Sequence, residues 1–222
     1  MRLPAPPVLL ITDRTQARHP LDDIAAAAFA AGCRWLLIRD KDMAPSARRR
    51  LLDRALALGA PYDAVVTVAV DAVGDTASDV AWARAAGAAG VHLPAGGDVA
   101  AARAVLGTGA LIGISTHDAA ELAAAARAGV DYATLGPVFA TRSKPGYGPA
   151  LGLEGLASLV AGLAADGAGP PIIALAGIEA EAAPACLAAG AAGVAVMGAV
   201  MRAADPGAVV NGLIRALESG AP

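Results

Sequence analysis

Residues 111–136, LIGISTHDAAELAAAARAGVDYATLG, decide the fold. Leu111–Ser115 is a short run of large apolar and β-branched residues that are apolar in succession rather than alternately, which suits a strand covered on both faces. Ala119–Ala128 is alanine-rich and helix-favouring, and Gly129 directly behind it permits the left-handed conformation that caps a helix. Tyr132–Leu135 is a second strand-like run. A strand, a helix and a strand in such close succession form a parallel crossover.

The same alternation extends outward in both directions. Strand-like runs at Val8–Thr12, Trp35–Arg39, Ala64–Val70, Gly90–Leu93, Ile172–Ala176 and Gly193–Met197 bring the total to eight. Between them lie helix-favouring segments, among them Leu21–Ala31, Pro45–Leu58, Asp98–Leu106 and Ala180–Ala189. The endings Ala31-Gly32, Ala86-Gly87, Ala128-Gly129 and Ala189-Gly190 repeat one capping signal, so they report architecture and not catalysis. Eight strands alternating with helices predict a closed (β/α)₈ TIM barrel rather than an open doubly wound sheet. No low-complexity linker or charge block marks a second domain, so residues 1–222 are expected to form one.

Composition narrows the partners. The chain is 56% hydrophobic and 17% charged, yet much of the excess is alanine. Charges or glycines interrupt every apolar run before the roughly 20 residues that a bilayer span needs. The start, MRLPAPPVLLITD, lacks the features of a secretory signal, so the cytoplasm is the expected compartment. Cys33 and Cys186, far apart with no export signal, are expected as buried reduced thiols. The net charge is −3 with both signs mixed along the chain, so no basic face exists to follow a phosphodiester backbone. Neither nucleic acid nor membrane is an expected partner.

In such barrels the chemistry sits at the carboxyl ends of the strands. That rule selects Asp13, Arg14, Arg39, Asp40, Lys41, Asp71, His92, Ser115, Thr116, His117, Gly177, Met197 and Gly198. It also selects the loop Leu135–Gly152, LGPVFATRSKPGYGPALG. That loop carries Thr141, Arg142, Ser143 and Lys144 with two of the few aromatics, Phe139 and Tyr147, and its glycines and prolines keep it out of helix and sheet. Glycine turns at Gly177 and Gly198, after the seventh and eighth strands, suit a phosphate group, because exposed backbone N–H groups permit its close approach. The competing reading is that these glycines only turn the chain.

Arg39 and Lys41 alternate, share one face and suit an anionic substrate, unless Asp40 or another carboxylate pairs with them. His117 follows the fifth strand and can exchange protons near neutral pH; the competing reading is a purely structural hydrogen bond at the start of a helix, since Ser115, Thr116 and Asp118 are good capping residues. His92 is either a satisfied core histidine or a ligand, and His19 is expected to be solvated.

At these residues the chain resembles thiamine phosphate synthase and its relative TenI, the thiazole tautomerase. The resemblance runs through Leu10-Ile11-Thr12-Asp13, Ile38-Arg39-Asp40-Lys41, Gly90-Val91-His92-Leu93-Pro94, Ser115-Thr116-His117, Leu135-Gly136-Pro137-Val138-Phe139, Ala176-Gly177-Ile178 and the Gly193–Gly198 run, nearly the whole chain. It implies a TIM barrel that binds a phosphorylated thiazole, commonly as a homodimer. It also implies phosphate contacts from Thr141, Ser143, Gly177 and Met197-Gly198, with Lys144 directed at a pyrophosphate.

The synthase joins an aminopyrimidine carried on pyrophosphate to thiazole phosphate with the help of Mg²⁺. Its strand-two glutamine is Leu37 here and its glutamate is Asp40. Its two magnesium-binding turns fall, without gaps, on Ala77-Ser78 and on Pro94-Ala95-Gly96-Gly97, which hold no carboxylate. Asp71, Asp75, Asp79 or Asp98 would have to rebuild the metal site. The Leu93–Gly96 turn resembles TenI, which requires no metal.

The sequence therefore leads to a TenI-like tautomerase with no cofactor. Gly177, Gly198, Thr141 and Ser143 would hold the phosphate, Arg39 or Lys41 the carboxylate, and His117 would move the proton. A histidine at that position also occurs in synthases and does not separate the two. The alternatives are a synthase using Mg²⁺ and a non-catalytic relative that binds thiazole phosphate.

Overall fold

The computed structural model describes residues 3–70, 76–141, 143, 148–165, 167 and 169–219. Eight strands, β1 (Val8–Ile11), β2 (Trp35–Ile38), β3 (Val65–Ala69), β4 (Gly90–Leu93), β5 (Leu111–Thr116), β6 (Tyr132–Leu135), β7 (Ile172–Leu175) and β8 (Gly193–Val196), pair in chain order. All are parallel, and β8 returns to β1 through Val8 opposite Val194, so the sheet closes into the expected barrel. The helices are α1 (Leu21–Ala30), α2 (Pro45–Gly59), α3 (Thr76–Ala85), α4 (Val99–Leu106), α5 (Ala119–Ala128), α6 (Gly152–Ala165), α7 (Ala183–Ala188), α8 (Gly198–Met201) and α9 (Pro206–Ser219). None of the described helices is long and apolar enough to cross a membrane.

Each apolar run divides by parity. Leu9, Trp35, Leu37, Leu111, Tyr132 and Ile173 turn into the barrel, whereas Leu10, Leu36, Ile38, Ile112, Ala133 and Ile172 pack outward under the helices. Both faces are dry, which is why the alternation is invisible as a hydropathy pattern. A fully buried leucine or isoleucine contributes about 1.5–3 kcal/mol.

Trp35 and Tyr132 fill the barrel interior edge to face, with ring centroids 4.7 Å apart. They fit because their neighbours are small. A Cβ at Gly113, directly across from Tyr132 in the register, would overlap its ring.

Helix ends follow the capping signals. Gly32, Gly87, Gly129 and Gly190 all adopt positive φ at the four Ala-Gly endings. Asp98 and Asp118 cap α4 and α5 by accepting the N–H groups of Ala101 and Glu121. One boundary departs from the sequence reading. The segment expected as a helix over Ala180–Ala189 begins only at Ala183, after a turn in which Glu179 O accepts from Ala182 N and Ala183 N. Pro184 falls in the first helical turn, where its missing N–H is not needed. Cys33 and Cys186 are buried and unpaired, and burial raises the pKa of both thiols.

Candidate active site

A cavity of about 1020 Å³ opens at the carboxyl ends of the strands. Arg39, Lys41, His117, Thr141, Ser143, Gly177, Met197 and Gly198 all line it. Strands β2, β7 and β8 end one residue earlier than expected, which leaves Arg39, Ala176 and Met197 on the loops. Lys144, the remaining expected site residue, lies outside the described residues, as do Arg142, Tyr147, Asp71 and Asp75.

On one side of the mouth, Asp40 does not neutralise its neighbours. It is buried and accepts from Thr12 Oγ1 at 2.6 Å and from the backbone N of Arg14 at 2.6 Å, fastening the loop after β1 to the loop after β2. The carboxylate that meets Arg39 is Asp13, at 3.7 Å. Burial pushes the Asp13 pKa up, but hydrogen bonds from Thr15 and Gln16 and the Arg39 charge outweigh it, holding Asp13 below the ordinary carboxylate range. Lys41 Nζ donates to Val70 O, the residue just past the end of β3. Arg39 and Lys41 thus bring positive charge to one wall.

At the floor, His92 Nδ1 lies 2.9 Å from Tyr132 Oη, and its Nε2 lies 3.0 Å from Ser115 Oγ and 3.5 Å from Thr134 Oγ1. Burial first, and then the Lys41 charge, lower its pKa to about 3, so the ring is neutral at physiological pH. His92 is both a satisfied core histidine and part of the cavity lining.

Its protonation has a defined effect on stability. The unfolded chain takes up this proton below about 6.5, whereas the folded chain does so only near 3, so the contribution is complete above 6.5 and is lost as pH falls. Urea unfolding at pH 7.5 and pH 5 should show a decline to which His92 contributes about 2 kcal/mol. In His92→Gln that part of the decline disappears; an unchanged decline would place a charged imidazole in the folded barrel.

His117 sits at the start of α5, and Glu121 Oε2 accepts from its backbone N at 2.7 Å and pairs with its Nδ1 at 2.8 Å. A carboxylate only accepts, so the proton rests on Nδ1 and exchange falls to Nε2. The helix cap itself is Asp118. The structural and the chemical readings of His117 therefore coexist: Glu121 fixes a ring that still lines the cavity.

In the turn after β7, Ala176 and Gly177 both adopt positive φ, +83° and +67°. A Cβ at Gly177 would lie 2.6 Å from Ala140 O and 2.7 Å from Phe139 Cβ, so only glycine lets the loop after β6 close over this turn. Gly198 is crowded by side-chain ends rather than backbone, since a Cβ there would lie 2.6 Å from Ser143 Oγ and against the Arg202 guanidinium. Gln16 completes the corner: its Oε1 accepts from Ser143 Oγ at 2.9 Å and from Arg202, and its Nε2 donates to Asp13 at 2.7 Å. Sequence reasoning missed Gln16 and Arg202. For Arg202 a signal existed, because a helix starting at Gly198 returns the fourth residue above it.

Among the described residues, no three His, Cys, Asp or Glu side chains converge as metal ligands. Asp98 caps α4, and Asp79 lies in the first turn of α3. Asp71 and Asp75, the other two candidate carboxylates, lie outside the described residues.

The fold is a (β/α)₈ barrel whose mouth, at the carboxyl ends of the strands, is lined by Arg39, Lys41 and the glycine turns at Gly177 and Gly198. Residues 8–200 match the family model described as thiamine monophosphate synthase, and the chain belongs to that family, whose enzymes act in thiamine biosynthesis. It is 39% identical over 213 residues to a thiamine-phosphate synthase of Salinispora tropica, covering 94% of this chain and 95% of that one. It is 36% identical to the thiamine-phosphate synthase of Agrobacterium fabrum, covering 84% and 81%. A solved thiamine phosphate pyrophosphorylase from Pyrococcus furiosus superposes with a TM-score of 0.80 at 26% identity, covering 97% of this chain and 96% of that one. A 3-hexulose-6-phosphate synthase, at 18% identity and a TM-score of 0.67, shares the fold alone.

Proposed function

We propose that this chain is a thiamine-phosphate synthase, joining an aminopyrimidine carried on pyrophosphate to thiazole phosphate. The observation that carries this reading is its 39% identity, across 94% of the chain, to a relative of that name. This moves the weight from the tautomerase, which the sequence placed first, to the alternative. The site is compatible with it in charge and in size. Two anionic groups must be held at once, and the cavity of about 1020 Å³ is lined both by Arg39 and Lys41 after β2 and by Gly177 and Gly198 after β7 and β8.

In this reaction the bond between the pyrimidine methylene carbon and the pyrophosphate oxygen breaks, and the thiazole nitrogen bonds to that carbon. Pyrophosphate leaves as an anion, and Arg39 and Lys41 stabilise the charge that develops on it. Thr141, Ser143, Gly177 and Gly198 hold the thiazole phosphate. The thiazole nitrogen carries no proton to remove, so His117, oriented by Glu121, is left to donate from Nε2 to the oxygen of the departing pyrophosphate. Mg²⁺ would add charge neutralisation to the leaving group, but the described residues do not assemble its ligands and no step above depends on it.

The tautomerase remains a second reading because Leu37, where synthases carry glutamine, lines the cavity, and Pro94–Gly97 supplies no carboxylate. Initial rates with purified protein distinguish the two. Pyrimidine pyrophosphate, thiazole phosphate and Mg²⁺ should give sustained turnover to thiamine phosphate. Turnover confined to the thiazole carboxylate phosphate tautomer would reverse the assignment, and binding without either turnover would mark a non-catalytic relative.

A further inference from the structure

The corner formed by Gln16, Ser143, Gly198 and Arg202 carries a cation to which the proposed reaction gives no role. The Arg202 guanidinium lies over Gly198, in the space that a Cβ there would take. It lines the cavity, and among the described residues it has no carboxylate partner. Its described acceptors are neutral oxygens: Gln16 Oε1, and Ser143 Oγ at 3.5 Å. A planar, permanently charged fork satisfied only by an amide and a hydroxyl retains most of its attraction for an anion.

Gln16 is itself held in place. Its amide nitrogen is bound to Asp13, and the same loop is tied to the α8 region by Arg18 N donating to Met201 O at 2.9 Å and by His19 Nε2 at 3.0 Å from Ala204 O. The carbonyl oxygen of Gln16 thus stands where Arg202 Nη1 and Ser143 Oγ both point, in the position an oxygen of a bound phosphate would take.

We infer that Arg202 is the residue that distinguishes a phosphorylated thiazole from its free alcohol, and that Gln16 Oε1 is the stand-in acceptor that the phosphate oxygen displaces. This rests on the proposed thiazole phosphate substrate and adds to it a specificity determinant outside the glycine turns. Arg202 is exposed at the rim and its side chain contributes nothing to the core, so its replacement leaves the barrel intact.

Titration calorimetry on the full chain tests this, with thiazole phosphate and the thiazole alcohol as probes. Arg202→Gln should weaken thiazole phosphate binding by about 10- to 100-fold, the range for losing a charge-assisted hydrogen bond, and leave the alcohol unaffected. Arg202→Lys should recover part of the loss, because a point charge replaces the fork. Gln16→Glu, which sets a fixed carboxylate against Arg202, should weaken phosphate binding by about tenfold. In steady state the KM for thiazole phosphate rises in Arg202→Gln while the KM for the pyrimidine pyrophosphate stays put.

Wild-type phosphate affinity in Arg202→Gln, or equal losses for phosphate and alcohol, would overturn the assignment. Wild-type phosphate affinity in Gln16→Glu would remove Gln16 from it. Absence of turnover in the wild-type protein would count against the synthase reading alone, because the titrations do not depend on turnover.

Discussion

Gly113→Val is expected to destabilise the barrel by about 4 kcal/mol, a large share of the 5–15 kcal/mol typical of a folded domain. Even the first carbon of a side chain at this position would overlap the Tyr132 ring. The ring cannot retreat: it is fully buried, packs against Trp35, and its hydroxyl is bound to His92. The closed sheet cannot widen at one pair without breaking the register of β4, β5 and β6. Denaturant unfolding measures the loss, and pairing the change with Tyr132→Leu should restore part of it, since the two sites share one volume. A double variant no more stable than Gly113→Val would show that the strain lies elsewhere.

The largest effect on turnover is expected at the cation wall. Lys41→Met should lower kcat/KM by about 10²–10³-fold, and Arg39→Gln by a comparable factor, because each removes positive charge where the leaving pyrophosphate becomes fully charged. The loss should fall mainly on kcat, and the affinity for thiazole phosphate alone should hold, since that group is assigned to the loops after β6, β7 and β8. The double variant should lose much less than the product of the single factors if the two cations act on one leaving group. Arg39 is tied to Asp13 and Lys41 to Val70 O, so both variants are compared with wild type at matched fold stability. A Lys41→Met protein with normal kcat and weakened thiazole phosphate binding would reverse the assignment of the two walls.

The barrel was legible in the sequence because buried parallel strands leave a local signature: short runs apolar on both faces, each followed by a helix, four of which end in Ala-Gly. The mouth was legible for the same reason, as Arg39, Lys41, His117, Gly177 and Gly198 each stand next to such a run. What stayed hidden depends on closure. His92, Ser115, Thr134 and Tyr132 sit on three strands, and nothing local to any of them shows that they form one network. Gln16 meets Arg202 across 186 positions, joined only when β8 returns to β1. Asp40 looked like a partner for Arg39 because the two are adjacent in sequence, but its neighbours in space are Thr12 and Arg14. The start of α7 was misjudged because alanine favours helix on both sides of the turn at Glu179, and only Pro184 marks where the helix begins.

The most direct test of the proposed reaction follows phosphorus. In a ³¹P NMR time course with wild-type protein, pyrimidine pyrophosphate, thiazole phosphate and Mg²⁺, the resonances of free pyrophosphate and thiamine phosphate should grow together in equal amounts as both substrates decline. Substrates that persist unchanged, in a protein that binds thiazole phosphate and consumes the thiazole carboxylate tautomer, would contradict the synthase assignment.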